Sequence, residues 1–199
     1  MLIAFNKPYG VLSQFTSDSV KPTLAEFIDV PGVYAAGRLD FDSEGLLLLT
    51  DDGALQHAIA SPIDRLAKRY WAQVDGIPTP AALNRFAEGL TIGEGNDRYR
   101  TLPASAVAIP EPDLVARVPP VRFRASIPTS WIEVRLTEGK NRQVRRMTAA
   151  IGHPTLRLIR VGIGSLDLLQ LGIAQGMWTS VEADRLGIAS KRLKSRDPH

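Results

Sequence analysis

Four consecutive leucines, Leu46 to Leu49, lie between Glu44-Gly45 and Thr50-Asp51-Asp52-Gly53, and they constrain this chain more than any other stretch. A half-exposed strand would alternate apolar with polar residues, so an unbroken apolar run bounded by turn residues reads as a strand buried on both faces. Its charged flanks then fall at the two ends of that strand. Just upstream stands Gly37-Arg38-Leu39-Asp40-Phe41-Asp42-Ser43. If residues 38 to 40 are extended, Arg38 and Asp40 share a face, because alternate residues point the same way. An arginine beside a carboxylate favours the ionised form, which a nucleophile or a base requires. A surface ion pair would contribute little to stability, so the pairing points to a site.

Composition sets the outer limits. A chain of 199 residues with 44% hydrophobic content can bury a proper core, as one domain or as two closely packed lobes. With no cysteine there is no disulfide framework, thiolate nucleophile or cysteine zinc site, and three histidines leave little for metal binding. The N-terminus lacks a basic segment followed by a long apolar one, and no run is long enough to span a bilayer. The expectation is a soluble, cytoplasmic, monomeric protein with no membrane partner. A net charge of +3 says little, but its distribution says more. Between Arg135 and Arg160 stand Arg135, Lys140, Arg142, Arg145, Arg146, Arg157 and Arg160 against the single acid Glu138, whereas acids gather from Asp40 to Asp52. Positive charge collected beside a carboxylate site fits a polyanion, nucleic acid first; a solvated basic helix face is the bland competitor.

Strands and helices alternate along the chain. Strands are expected at residues 2–6, 11–15, 46–50, 70–74, 104–108, 122–126, 131–136 and 155–161. Short helices are expected after Thr23, which has capping-box spacing to Glu26, at 53–60, and from Thr79-Pro80 to Gly89. Residues 94 to 130 hold six prolines and read as loop-rich. Asn141 is expected to cap a helix through Ile151, with Gly152 ending it. Residues 189 to 199 look like a frayed basic tail. This mix predicts α+β, with a largely antiparallel sheet and peripheral helices.

On the helix expected at 141–151, Val144, Met147 and Ile151 share one face, and Arg142 and Arg146 form an i,i+4 like-charge pair opposite. Such a pair repels itself, by a few tenths of a kcal/mol, unless an anion binds there. Arg145 lies at the flank between the faces, where it can reach along the surface.

In order along the chain, Asn6-Lys7-Pro8-Tyr9-Gly10, Gly37-Arg38-Leu39-Asp40 with Glu44 to Gly53, Lys68-Arg69-Tyr70, and Glu138-Gly139-Lys140-Asn141-Arg142-Gln143-Val144-Arg145-Arg146-Met147 resemble the signature of the small-subunit-type ribosomal RNA pseudouridine synthases. Leu158 to Gly164, with Trp178 and Glu182 beyond, is similar too. Within that family the chain most resembles members acting on large-subunit RNA. The resemblance implies a catalytic domain over residues 1–187, with two lobes around a central cleft, followed by the tail. Many relatives carry a small RNA-binding domain ahead of this core, and none is expected here.

The implied reaction converts uridine to pseudouridine and calls for no metal and no cofactor. By resemblance Asp40 is the catalytic carboxylate, as nucleophile or as base, supported by Arg38. Tyr70 matches the ring that stacks on a uracil flipped out of its helix, Arg145 the active-site arginine, and Leu158 an apolar contact to the base. Ribosomal RNA, of the large subunit (23S), is the expected partner. Lys7, Lys68, Arg122, Arg124, Lys140, Arg142 and Arg146 are the expected RNA-binding cations.

Each assignment has a bland competitor. Tyr70 on its own reads as a half-buried strand tyrosine, Lys7-Pro8 as a turn former, and Leu158, Trp131 and Trp178 as packing. His57 and His153 read as helix and turn residues, and Asp42, Asp51 and Asp52 as caps. Arg117 to Arg124, restricted by Pro119-Pro120, would line arginines along one side if extended and so grip RNA. A rival reading takes Asp40, Asp42, Glu44 and Asp51 as a calcium loop, against which stand four leucines where ligands belong. A second rival is an RNA-binding module without activity, which the presence of Asp40, Tyr70 and Arg145 argues against.

Overall fold

The computed structural model describes residues 1–61, 66–122 and 126–187. In chain order the elements are β1 (Leu2–Lys7), β2 (Tyr34–Ala35), β3 (Glu44–Thr50), α1 (Gly53–Ala60), β4 (Lys68–Asp75), α2 (Pro80–Glu88), β5 (Thr91–Ile92), β6 (Tyr99–Arg100), β7 (Ser105–Ile109), β8 (Thr129–Leu136), α3 (Gln143–Ala150), β9 (Thr155–Ile163), β10 (Leu166–Asp167), α4 (Leu168–Leu171) and β11 (Trp178–Ser180). The fold is α+β, and the ladders described below are antiparallel. The chain forms two compact units, Met1–Leu66 with the segment from Arg160 onward, and Ala67–Ile159. The change from the second back to the first falls inside β9. Among the described residues no helix is long and apolar enough to cross a membrane.

In the first unit the leucine run is β3, and Leu46 to Leu49 are all fully buried. β3 pairs with β1, placing Ile3 opposite Leu49, Ala4 opposite Leu48 and Phe5 opposite Leu47. β11 extends the ladder beyond β1, and β2 pairs with β3. Leu46 and Leu48 join Leu2, Ala4, Leu55 and Ile59 of α1, and Ile163, Leu166 and Leu168, in one apolar cluster. On the alternate residues Phe5 meets Phe27 at 5.7 Å between ring centres. Burial on both faces explains why four leucines in a row are tolerated. Each contributes about 1.5–3 kcal/mol by leaving water. Asp52 caps α1, its carboxylate accepting from the N–H groups of Ala54 (2.8 Å) and Leu55 (3.0 Å), and Asp51 pairs with the N-terminal ammonium, which holds its carboxyl below the usual range. The helix after Thr23 is a single 3-10 turn, Leu24–Glu26, with Glu26 accepting from the Thr23 N–H at 3.2 Å.

The second unit is built on the ladder β4, β8, β7, with Tyr70 opposite Val134 and Ala72 opposite Ile132. Tyr70, Ala72 and Val74 point inward, as period-two alternation requires. Thr79 caps α2, whose Leu83 and Phe86 are buried. Gly89 ends it at φ 80°, where a Cβ would lie 2.5 Å from the Thr101 carbonyl oxygen, so glycine is needed twice over. Two-residue strands β5 and β6 form a hairpin that the sequence pattern does not announce.

The helix near 141–151 departs from expectation at its start. It begins at Gln143, and Arg142, at φ 51°, occupies the cap in the left-handed region with no side-chain cap bond. Asn141 is therefore not the cap. Gln143 instead accepts from the Lys140 N–H (3.0 Å) and donates to Glu138 (2.6 Å), tying the entry loop to the first turn. Arg142 and Arg146 are thus not two residues on one helical face. Val144, Met147 and Ile151 are buried together as the spacing predicts. Of the strand expected at 122–126, Arg122 is irregular and residues 123–125 lie outside the described residues, as does the basic tail.

Candidate active site

Asp40 sits half-buried in the first unit, in the loop between β2 and β3. Burial alternates across it: Arg38 is exposed, Leu39 is buried and Asp40 is intermediate. The loop backbone is held group by group. The Arg38 carbonyl accepts a long bond, 3.5 Å, from Arg160 Nη1, and Arg160 Nε donates to the Leu46 carbonyl at 2.7 Å. The Leu39 N–H donates to Ser13 Oγ at 3.1 Å, while the same hydroxyl donates to the Leu39 carbonyl at 2.7 Å. The Ser43 N–H donates to the Asp40 carbonyl (3.0 Å), and the Gly10 N–H donates to the Phe41 carbonyl (2.8 Å). A carboxylate on such a loop keeps its position without help from regular secondary structure.

Lys7 ends β1 beneath this loop and is completely buried. Its ammonium donates to the carbonyls of Pro8 (2.9 Å) and Val11 (2.8 Å). Burial pushes the Lys7 ammonium down to about 7; the carboxylates of Glu44, Asp42 and Asp40 oppose that shift and Arg160 adds to it. Lys7 was expected among the RNA-binding cations, and its burial corrects this: it cannot present its charge to a polyanion, and it shapes the turn that carries Gly10 and Ser13. Glu44 is also buried and accepts from Gln175 Nε2 at 3.1 Å. Arg160, only 3% exposed, is a second cation that charge counting places on a basic surface and the structure places in the interior.

In the second unit Tyr70 is buried and Lys68 stands two residues before it on the same face of β4. The Lys68 side chain runs past Gly139, at the start of the loop leading to α3. Arg145 is half-buried on α3 and its Nη1 donates to the Thr155 carbonyl at 3.3 Å, while Thr148 and Thr155 hydroxyls meet at 2.7 Å. The start of β9, which goes on to carry Leu158, is thereby clasped to α3. Leu158 is buried. Lys140 is exposed, with its ammonium 3.7 Å from the centre of the Tyr99 ring. Desolvation, with Glu138 nearby, raises the Tyr99 hydroxyl, and Arg146 opposes this. Arg142 is exposed and Arg146 half-buried.

Among the described residues of the proline-rich segment, Arg117 does not extend along one side. Arg117 folds back, its Nε donating to the Pro119 carbonyl (2.9 Å) and its Nη2 to the Pro120 carbonyl (3.0 Å). Arg157 Nη2 holds the Val115 carbonyl at 3.0 Å. Arg122 is exposed, and Arg124 lies outside the described residues. The calcium-loop reading fails on geometry, since its second half is the buried strand β3. His153 Nδ1 is 2.8 Å from the Asp75 carbonyl, a turn role as expected. Sequence reasoning passed over Ser13 and counted Arg160 only as one basic residue among several; their partners lie 26 and 122 residues away along the chain. No local signal marks such pairings.

A family model described as RNA pseudouridylate synthase matches residues 1–150. The chain is 52% identical over 180 residues to "Ribosomal large subunit pseudouridine synthase E" of Xanthomonas campestris, covering 89% of this chain and 94% of that protein. It is 51% identical over 180 residues to the protein of the same name from Vibrio vulnificus, covering 90% of this chain and 74% of that one. Among solved structures it resembles one described as "Crystal structure of pseudouridylate synthase", with a TM-score of 0.75 at 27% identity over 94% of this chain and 72% of the other.

Proposed function

The chain belongs to the RNA pseudouridylate synthase family, and from that premise we propose that it isomerises uridine to pseudouridine at a specific position in large-subunit (23S) ribosomal RNA, with Asp40 as the catalytic carboxylate. The observation that carries the assignment to Asp40 is the loop itself: a half-buried carboxylate whose neighbouring peptide groups are fixed by Ser13, Gly10, Ser43 and Arg160. The names of the relatives support ribosomal RNA as substrate. The protein acts as a monomer in the cytoplasm, where ribosomes are built.

The reaction is an isomerisation that balances within the substrate. The N1–C1′ bond breaks, the uracil turns, C5 bonds to C1′, the C5 proton leaves and N1 gains one. Asp40 acts as nucleophile at the sugar or as the base in this sequence, and either role needs its ionised form. Tyr70 offers a ring for stacking on the flipped base. Leu158 offers an apolar contact and Arg145 a cation. Arg38, exposed beside Asp40, supplies charge toward the substrate.

Ribosomal RNA tritiated at uridine C5 tests the reaction. Incubation with the protein releases label to water in proportion to the pseudouridine formed. Tight binding to free RNA and to ribosomal particles with no release from either would reduce the protein to a binding module.

The exposed cations Lys140, Arg142 and Arg122, together with the half-buried Arg146 and Lys68, hold the RNA backbone. Replacing Lys140 or Arg122 with alanine lowers affinity, and each reduces the slope of log K against log salt by about 0.7–0.9 for every phosphate that is no longer neutralised. Filter binding across a salt series checks this, and an unaltered slope removes the residue from the interface. Arg124 is proposed for the same role.

A further inference from the structure

We propose that Ser13 is a positioning residue for the catalytic carboxylate, an inference that rests on the role assigned to Asp40 above. Ser13 lies 26 residues upstream of Leu39 and is 6% exposed. Its hydroxyl accepts from the Leu39 N–H and donates to the Leu39 carbonyl. The N–H of residue 39 belongs to the peptide plane joining 38 to 39, and its carbonyl to the plane joining 39 to 40. One oxygen atom therefore fixes both planes on the N-terminal side of Asp40. The plane joining 38 to 39 is also held at its other end, by Arg160 on the Arg38 carbonyl. On the C-terminal side the Asp40 and Phe41 carbonyls are taken by Ser43 and Gly10.

Serine suits this task because a hydroxyl is donor and acceptor at one atom. Its own backbone is anchored in turn. Lys7 draws in the Pro8 and Val11 carbonyls, and the Leu12 N–H donates to the Pro22 carbonyl at 2.9 Å. Without the Ser13 hydroxyl, the Leu39 N–H and carbonyl are left buried with no partner from this side chain, and the loop must shift to satisfy them. A shift of about 1 Å at the reacting group costs on the order of 10²-fold in rate.

The test compares Ser13→Ala, Ser13→Thr and Asp40→Asn in single-turnover tritium release, with RNA affinity and thermal midpoint measured alongside. Ser13→Ala lowers the rate of the chemical step about 10- to 100-fold with RNA affinity within about twofold of wild type; Ser13→Thr, which keeps the hydroxyl, restores most of the rate. Leu83→Ala, a cavity in the other unit, lowers the midpoint without this rate loss, which separates positioning from general destabilisation. If Ser13→Ala does not fold, Ser13→Cys, with a poorly bonding thiol of similar size, stands in for it under the same criteria. A wild-type rate in Ser13→Ala, or an equal loss in Ser13→Ala and Ser13→Thr, overturns the inference. If Asp40→Asn stays active, the assignment of Asp40 falls first; if Asp40→Asn is inactive and Ser13→Ala is fully active, only the positioning role falls.

Discussion

Asp40→Asn abolishes turnover, lowering C5 tritium release by at least about 10³-fold, while RNA affinity stays within about twofold of wild type. Asparagine keeps the size of the side chain and removes only its negative charge and its basicity. The Asp40 backbone carbonyl still receives the Ser43 N–H, and Leu39 and Phe41 remain tied to Ser13 and Gly10, so the loop has no reason to move. A loss of rate with intact binding therefore isolates the chemistry of the carboxylate. If rate and affinity fell together, the loop would be a binding element. If the rate held, another carboxylate would carry the reaction, with Asp42 and Glu44 the next to replace.

Lys7→Met removes a pH dependence of stability that the wild type shows between neutrality and about pH 10. In the folded protein burial lowers the Lys7 ammonium from 10.5 to about 7. Below pH 7 both folded and unfolded chains hold the proton, and the full cost of a buried charge is present. Between about 7 and 10.5 the unfolded chain holds more protons than the folded one, so stability rises with pH, by at most 1.36 kcal/mol per pH unit. The total gain is bounded at roughly 5 kcal/mol, and the Glu44, Asp42 and Asp40 carboxylates are already included in the shift. Methionine has no proton to exchange and leaves the Pro8 and Val11 carbonyls without their donor. Urea unfolding of both proteins at a series of pH values gives the difference directly, because all other titrating groups are shared. A difference that does not change with pH would mean that Lys7 keeps its proton throughout.

The leucine strand, the helices at 53–60 and after Thr79, and the inward face of α3 were legible because each depends on neighbours within a few residues: periodicity, a cap, a glycine stop. The fold class followed from the order of those elements. The start of α3 was misread because an asparagine is a good cap in general, whereas here Gln143 bonds back to Lys140 and Glu138 and the turn is made by Arg142. The β5–β6 hairpin escaped because two residues per strand carry no period. Asp40 stands out as a candidate from its flanks, but Lys7 and Arg160 could not be told from surface cations, since charge in a sequence does not reveal burial. Ser13 is invisible for the same reason. Its importance comes from a contact between distant segments.

The first unit is assembled from the two ends of the chain, with the second unit, Ala67–Ile159, inserted between them. During synthesis the inserted unit is complete once residue 159 has emerged, and it can fold while the remainder is still being made. The first unit has to wait. Arg160, which holds the carbonyls of Arg38 and Leu46, is its first residue after the insertion, and β11, which pairs with β1, ends at Ser180. Asp40 is translated early together with its supports from Gly10, Ser13 and Ser43, whereas the contact from Arg160 to the Arg38 carbonyl forms only after the insertion has been made.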